Sequence, residues 1–269
     1  MDLPLLIEPD QLEPLLNDES LLILDVSSAE NYARFHVPGA IHIPPASLVC
    51  GIKPATGKLP SIEQLNAVFS EVGLDNNKHV IAYDDEGGGW AGRLIWTLDV
   101  LGHKQHSYLN GGLHSWVNEG HPAEQTINRG TTVSYNSHID HTPIADLEDV
   151  LSLLNRKDVV IWDARSSEEY AGTKAVSKRS GHIPGAVNLD WLELMDRERN
   201  LRMVDLDTLQ KHLNSLGITR DKTVVTHCQT HHRSGLSYLA MKLLGYPDIK
   251  GYHGSWSEWG NRQDTPIEN

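Results

Sequence analysis

Leu22-Ile23-Leu24-Asp25, followed by Glu30-Asn31-Tyr32 and His36-Val37-Pro38-Gly39-Ala40, returns later in the chain as Val160-Ile161-Trp162-Asp163, Glu168-Glu169-Tyr170 and His182-Ile183-Pro184-Gly185-Ala186. The offset is 138 residues for the first two segments and 146 for the third, so the second copy carries an eight-residue insertion. Val80-Ile81-Ala82-Tyr83-Asp84 then aligns with Val224-Val225-Thr226-His227-Cys228 at an offset of 144, and Ser115-Trp116 and Ser255-Trp256 close the two copies. Matched segments in one order mark a duplicated domain.

Within each copy, short aliphatic and β-branched runs suit buried strands: 21–26 and 79–83, then 159–162 and 223–226. Helical patterns lie between them, as over 61–72, where Ser61 with Glu63-Gln64 forms an N-terminal signal, and over 206–216. This alternation predicts two α/β domains, each with a mostly parallel sheet flanked by helices. The polar, turn-rich stretch around Asn128-Arg129-Gly130 falls outside both copies, which divides the chain into 1–126, a linker over 127–143, and 144–269.

Of 269 residues, 39% are hydrophobic and 22% charged, as in a globular protein with a real core. The net charge of −13 excludes a basic nucleic-acid footprint. No stretch approaches the roughly 20 apolar residues of a membrane span, and Met1-Asp2-Leu3-Pro4 lacks the basic start of a leader, so a cytoplasmic protein is expected. Residues 1–143 hold 7 Lys+Arg against 18 Asp+Glu, whereas 144–269 hold 16 against 18. An anionic substrate therefore belongs to the second half.

The two cysteines are read separately. Cys50 sits in a Pro/Gly-rich stretch without a basic neighbour and reads as structural. Cys228 follows a strand, and Gln229-Thr230-His231-His232-Arg233-Ser234 leads from it into a helical pattern. A helix start offers unpaired N–H groups and partial positive charge, and a short loop before it makes a nest for one small anion. With Arg233 at the loop's end and His227, His231 and His232 nearby, the Cys228 thiol is expected to ionise more readily than an ordinary thiol. Persulfide, phosphate and arsenate all suit such a nest.

The spaced Asp163…Tyr170…His182-Ile183-Pro184-Gly185-Ala186 segment, the strand-Cys-loop-Arg-helix and Gly254-Ser255-Trp256-Ser257-Glu258-Trp259 together resemble the rhodanese family, in its two-domain thiosulfate sulfurtransferase form, over nearly the whole chain. The resemblance implies an inactive first domain, with Asp84 where the cysteine would stand, and a six-residue loop from Cys228 to Arg233. It implies an enzyme that moves sulfane sulfur from thiosulfate to cyanide or a thiol through a Cys228 persulfide, without a dissociable cofactor. Arg165 then corresponds to a substrate-facing arginine and Asp163 to a supporting acid, while Ser27 stands at the first copy's equivalent of Arg165.

The expected site thus has Cys228 as nucleophile, with Arg233, Arg165, Gln229, Thr230, His231 and His232 binding substrate. Asp163 and Ser234 support them. The expected partners are a small anionic sulfur donor and a thiol or protein acceptor, with neither nucleic acid nor membrane. The loop matches neither the Arg/Lys type of thiosulfate enzymes nor the Gly-Ser-Gly type of mercaptopyruvate enzymes, so 3-mercaptopyruvate sulfurtransfer stays open. So does a cysteine-loop phosphatase or arsenate reductase, whose loop is longer.

Competing readings are blander. His227, Cys228, His231 and His232 crowd into one loop without a second ligand pair, and no metal site is expected. Gly87-Gly88-Gly89 resembles a phosphate loop, but Asp84-Asp85-Glu86 precede it and would repel phosphate. Lys174, Lys178 and Arg179 lie in the inserted segment, as a solvated face or as a means of steering anions.

Overall fold

A computed structural model describes residues 3–269; Met1 and Asp2, on which the reading of the N-terminus partly rests, lie outside them. The first half forms a parallel sheet of β1 (Leu6–Ile7), β2 (Leu21–Asp25), β3 (Ile41–His42), β4 (His79–Tyr83) and β5 (His106–Leu109), in the order β1-β5-β4-β2-β3. The second half repeats the plan with β6 (Ile144–Ala145), β7 (Val159–Asp163) and β8 (Val187–Asn188). A two-stranded ribbon of β9 (Met195–Asp196) and β10 (Arg202–Met203) follows, then β11 (Thr223–His227) and β12 (Ile249–Tyr252). Its parallel sheet runs β6-β12-β11-β7-β8. The predicted fold class is therefore observed twice, with one strand order.

Strands of this kind are hydrophobic throughout because helices cover both faces. Every residue of β2 and β4 is buried, and so are Val160–Asp163 and Val224–His227. Helix starts are fixed locally. Ser61 caps the helix Ile62–Glu71 in a capping box with Gln64, and Asp205 caps Leu206–Ser215.

The two compact units do not follow a linear cut at residues 126 and 144. One comprises 1–48, 60–140 and 195–203; the other comprises 49–59, 141–194 and 204–269. Residues up to Asp140 belong with the first unit because they are tied to it, as where Val133 N–H donates to the Ser70 carbonyl at 3.0 Å and Tyr135 N–H to Ser70 Oγ at 3.0 Å. The ribbon packs there too. Arg202 pairs with Glu8 at 2.8 Å and with Glu119, and Met203 N–H donates to Asn110 Oδ1 at 2.8 Å.

Segment 49–59 joins the second unit. Lys58 Nζ meets Glu258 at 2.7 Å, and Leu59 N–H donates to His253 Nδ1 at 3.1 Å. A Cβ on Gly57 would stand 2.0 Å from the Thr230 carbonyl oxygen, so glycine is what lets this segment lie against the Cys228 loop. Among the described residues no helix is long and apolar enough to cross a membrane.

Candidate active site

Parallel pairing of β11 with β7 sets His227 opposite Asp163, so Cys228 is the first residue beyond the carboxyl edge of the sheet. That edge is where open α/β sheets place ligands. The helix Arg233–Leu243 begins five residues later, and the loop between is shaped from outside. Trp256 N–H donates to the Cys228 carbonyl at 3.0 Å and Ser257 N–H to the Gln229 carbonyl at 2.9 Å. Ser255 Oγ accepts from Cys228 N–H at 3.4 Å. With its first carbonyls tied outward, the loop turns through His231 at φ +55°, and the Ser234 N–H at its end reaches the cysteine sulfur. The Ser255-Trp256 pair that closes the sequence repeat is thus the clasp of this loop.

The Cys228 side chain is buried, 1% exposed. Burial alone would push the thiol up. The Arg233 charge, the Ser234 N–H and hydroxyl, and the His232 charge outweigh it and hold the thiol below its ordinary value. Arg233 is itself fixed by a two-pronged contact, Nη1 to Glu169 Oε2 at 2.7 Å and Nη2 to Oε1 at 2.9 Å. Glu169 is buried; that raises its carboxyl, but Arg233 more than compensates and keeps it low.

The three histidines expected around the thiol divide by position. His227 is fully buried, and burial pushes its ring toward the neutral form against the pull of Asp163, 3.6 Å away. His231 is also fully buried, with Nδ1 2.7 Å from Ser234 Oγ, so it orients the hydroxyl that reaches the sulfur. His232 is half-buried against Trp191, ring centroids 5.9 Å apart, and is the histidine whose charge acts on Cys228. Gln229 spans to Ser177 Oγ at 3.2 Å, and Thr230 lies under Gly57.

Arg165 is only 1% exposed. It donates through Nε to both oxygens of Asp163, at 2.9 and 3.0 Å, and through Nη2 to the Gly181 carbonyl at 2.9 Å. Its guanidinium lies 4.4 Å from the Trp256 ring centroid, which places it beneath the clasp. Of the basic residues in the inserted segment, Arg179 is structural, donating to the Trp259 and Thr265 carbonyls at 3.1 and 2.9 Å.

Sequence reasoning gave no site role to Glu169, Trp191, Ser255 or segment 49–59. Glu169 had a visible signal, since the first copy has Asn31 at the matched position. The segment had none, because its partner loop lies about 170 residues away in the chain.

With this geometry in place, comparison is decisive. Residues 8–119 and 146–262 match the rhodanese-like domain family. The chain belongs to that family. Rhodanese-like relatives named thiosulfate sulfurtransferase are found in Pseudomonas aeruginosa, 47% identical over 99% of this chain and 98% of the relative, and in Azotobacter vinelandii, 48% identical over 99% and 97%. A solved structure of an anaerobic ergothioneine biosynthesis enzyme from Chlorobium limicola shares the rhodanese fold with a TM-score of 0.89 at 21% identity, over 98% of this chain and 70% of that one.

Proposed function

We propose that the protein is a thiosulfate sulfurtransferase working through a Cys228 persulfide without a dissociable cofactor. The observation that carries this reading is the Cys228 thiol, held below its ordinary ionisation range by Arg233 and Ser234 at the mouth of a helix. The two relatives above favour thiosulfate over mercaptopyruvate or an oxyanion ester.

In the first step the Cys228 thiolate attacks the outer sulfur of thiosulfate. A new sulfur–sulfur bond forms, the bond within thiosulfate breaks, and sulfite leaves with the electron pair. The Ser234 N–H and the Arg233 guanidinium, which hydrogen-bond the thiolate, shift to the terminal sulfur of the persulfide. In the second step cyanide or a thiolate takes that sulfur, and the pair returns to Sγ.

Arg233 is the substrate-facing cation in this scheme, aided by His232. Arg165, whose guanidinium is taken up by Asp163 and Gly181, is a positioning residue for Asp163 and Trp256. His231 and Ser234 orient the sulfur. Gln229 and Thr230 form the outer wall.

Intact-mass measurement after thiosulfate treatment tests the reading. The wild type should gain one sulfur that cyanide removes, and Cys228→Ser should gain none. An unmodified wild type would overturn thiosulfate as donor.

A further inference from the structure

Beside the Cys228 loop, within the second unit, lies a cavity of about 500 Å³. Its lining includes Lys53 and Pro54 of the 49–59 segment, Lys178 of the insertion, and Gln229 and Thr230 of the loop itself. No carboxylate lines it. Both lysines are exposed, and neither has an ion-pair partner among the described residues. Lys58 of the same segment, by contrast, is occupied by Glu258. Two lysines without an ion-pair partner line one cavity in a chain of net charge −13, and together they concentrate positive potential there. The volume is that of a small-molecule cleft, and a dianion the size of thiosulfate would fill only a small part of it.

We propose that this cavity is the subsite for the sulfur acceptor, and that Lys53 and Lys178 select a small thiol bearing carboxylates. The proposal rests on the persulfide reading and names the acceptor class for that same site. The acceptor's carboxylates lie on the two ammoniums while its thiolate passes over Gln229 and Thr230 to the loop. There RS⁻ attacks the terminal sulfur of Cys228–S–SH. The new bond joins the two outer sulfurs, the bond to Sγ breaks, and its electron pair stays on Sγ, giving RS–SH and the Cys228 thiolate.

The test is an acceptor charge series with saturating thiosulfate, comparing mercaptosuccinate, 2-mercaptoethanol and cysteamine at equal thiolate concentration. The wild type should prefer mercaptosuccinate in kcat/KM. The ratio of mercaptosuccinate to 2-mercaptoethanol should fall roughly threefold in Lys53→Gln or Lys178→Gln and roughly tenfold in the double variant, as expected for solvent-exposed charge pairs. Lys178→Glu should move the preference toward cysteamine. A charge-blind wild type, or a double variant that keeps the wild-type ratio, overturns the proposal. So does a change in the KM for thiosulfate with the acceptor ratio unmoved, which would assign the lysines to the donor. Single-turnover release of sulfite separates the two readings. If sulfite is released while acceptors are not distinguished, only the subsite falls; if the wild type releases none, both fall.

Discussion

The loops after β4 and β11 are the same device with different occupants. In the first unit, Asp84 follows the strand and its carboxylate fills the nest. Oδ1 accepts from the N–H groups of Glu86, Gly87 and Gly88 at 3.1, 3.1 and 2.8 Å, and Oδ2 from Ala91 N–H at 2.9 Å. Leu113 N–H holds the Asp84 carbonyl at 2.9 Å, as Trp256 N–H holds that of Cys228. The glycine run that resembles a phosphate loop is thus the wall of a nest filled by the chain itself. In the second unit Cys228 has the shorter side chain and a thiol held below its ordinary value, and on the proposed reading the sulfur that completes the nest is delivered and removed. On that reading the duplication separates the architecture of anion binding from the chemistry: one copy keeps the first, and the other keeps both.

The most severe way to break the contrast is to make the second loop like the first. Cys228→Asp should retain the fold, since a carboxylate in the nest is already tolerated after β4, yet it removes the nucleophile. Thiocyanate formation from thiosulfate and cyanide should fall to background, with no sulfur adduct by mass. Residual turnover would mean that sulfur passes elsewhere, and Cys50 would be the thiol to examine.

A smaller effect is expected from keeping the nucleophile and removing the cation. The first unit has Gly89 where Arg233 begins its helix. In Arg233→Gln the largest influence lowering the Cys228 thiol is gone while burial, which raises it, remains. The thiolate exists above its pKa, so the wild type should lose reactivity only as pH falls through a depressed value, and the variant should lose it at higher pH. A shift of about one unit or more is expected in the pH dependence of iodoacetamide alkylation, with neutral-pH turnover down roughly tenfold or more. An unmoved profile would leave Ser234 and the helix start as the sufficient cause.

The sheets, the duplication and the Cys–Arg loop were legible because each is written in short-range pattern: aliphatic runs, repeated Asp and His-x-Pro-Gly-Ala segments, and a cysteine placed between a strand and a helix. What escaped was written in long-range contact or hidden behind a commoner role. Ser166 and Glu169 form a capping box at a helix start, a commonplace role, but the same Glu169 carboxylate also grips Arg233. The histidines read as one positive cluster, yet His227 ends a buried strand, His231 turns under the loop, and His232 alone of the three is half-exposed. The 49–59 and 195–203 segments group with the other repeat's compact unit, and neither shows any compositional sign of it.

The smallest effect concerns the first loop's charge. Burial and the neighbouring Glu86 carboxylate push Asp84 up to about 6, against the pull of the N–H groups of Ala91, Gly88 and Glu86. Since the folded value lies above the ordinary 3.8, protonation favours the folded state. The associated stability is complete below about pH 4 and is lost as pH rises to about 6. Asp84→Asn cannot titrate, and one of its oxygens is replaced by a donor facing other donors. The variant should therefore melt below the wild type near pH 4, and the gap should narrow as pH approaches 7. Thermal melting across that range decides the matter. A gap that is constant, or that widens with pH, would mean that the N–H groups hold Asp84 as a carboxylate throughout, and the first loop would match a persulfide-bearing second loop in charge as well as in shape.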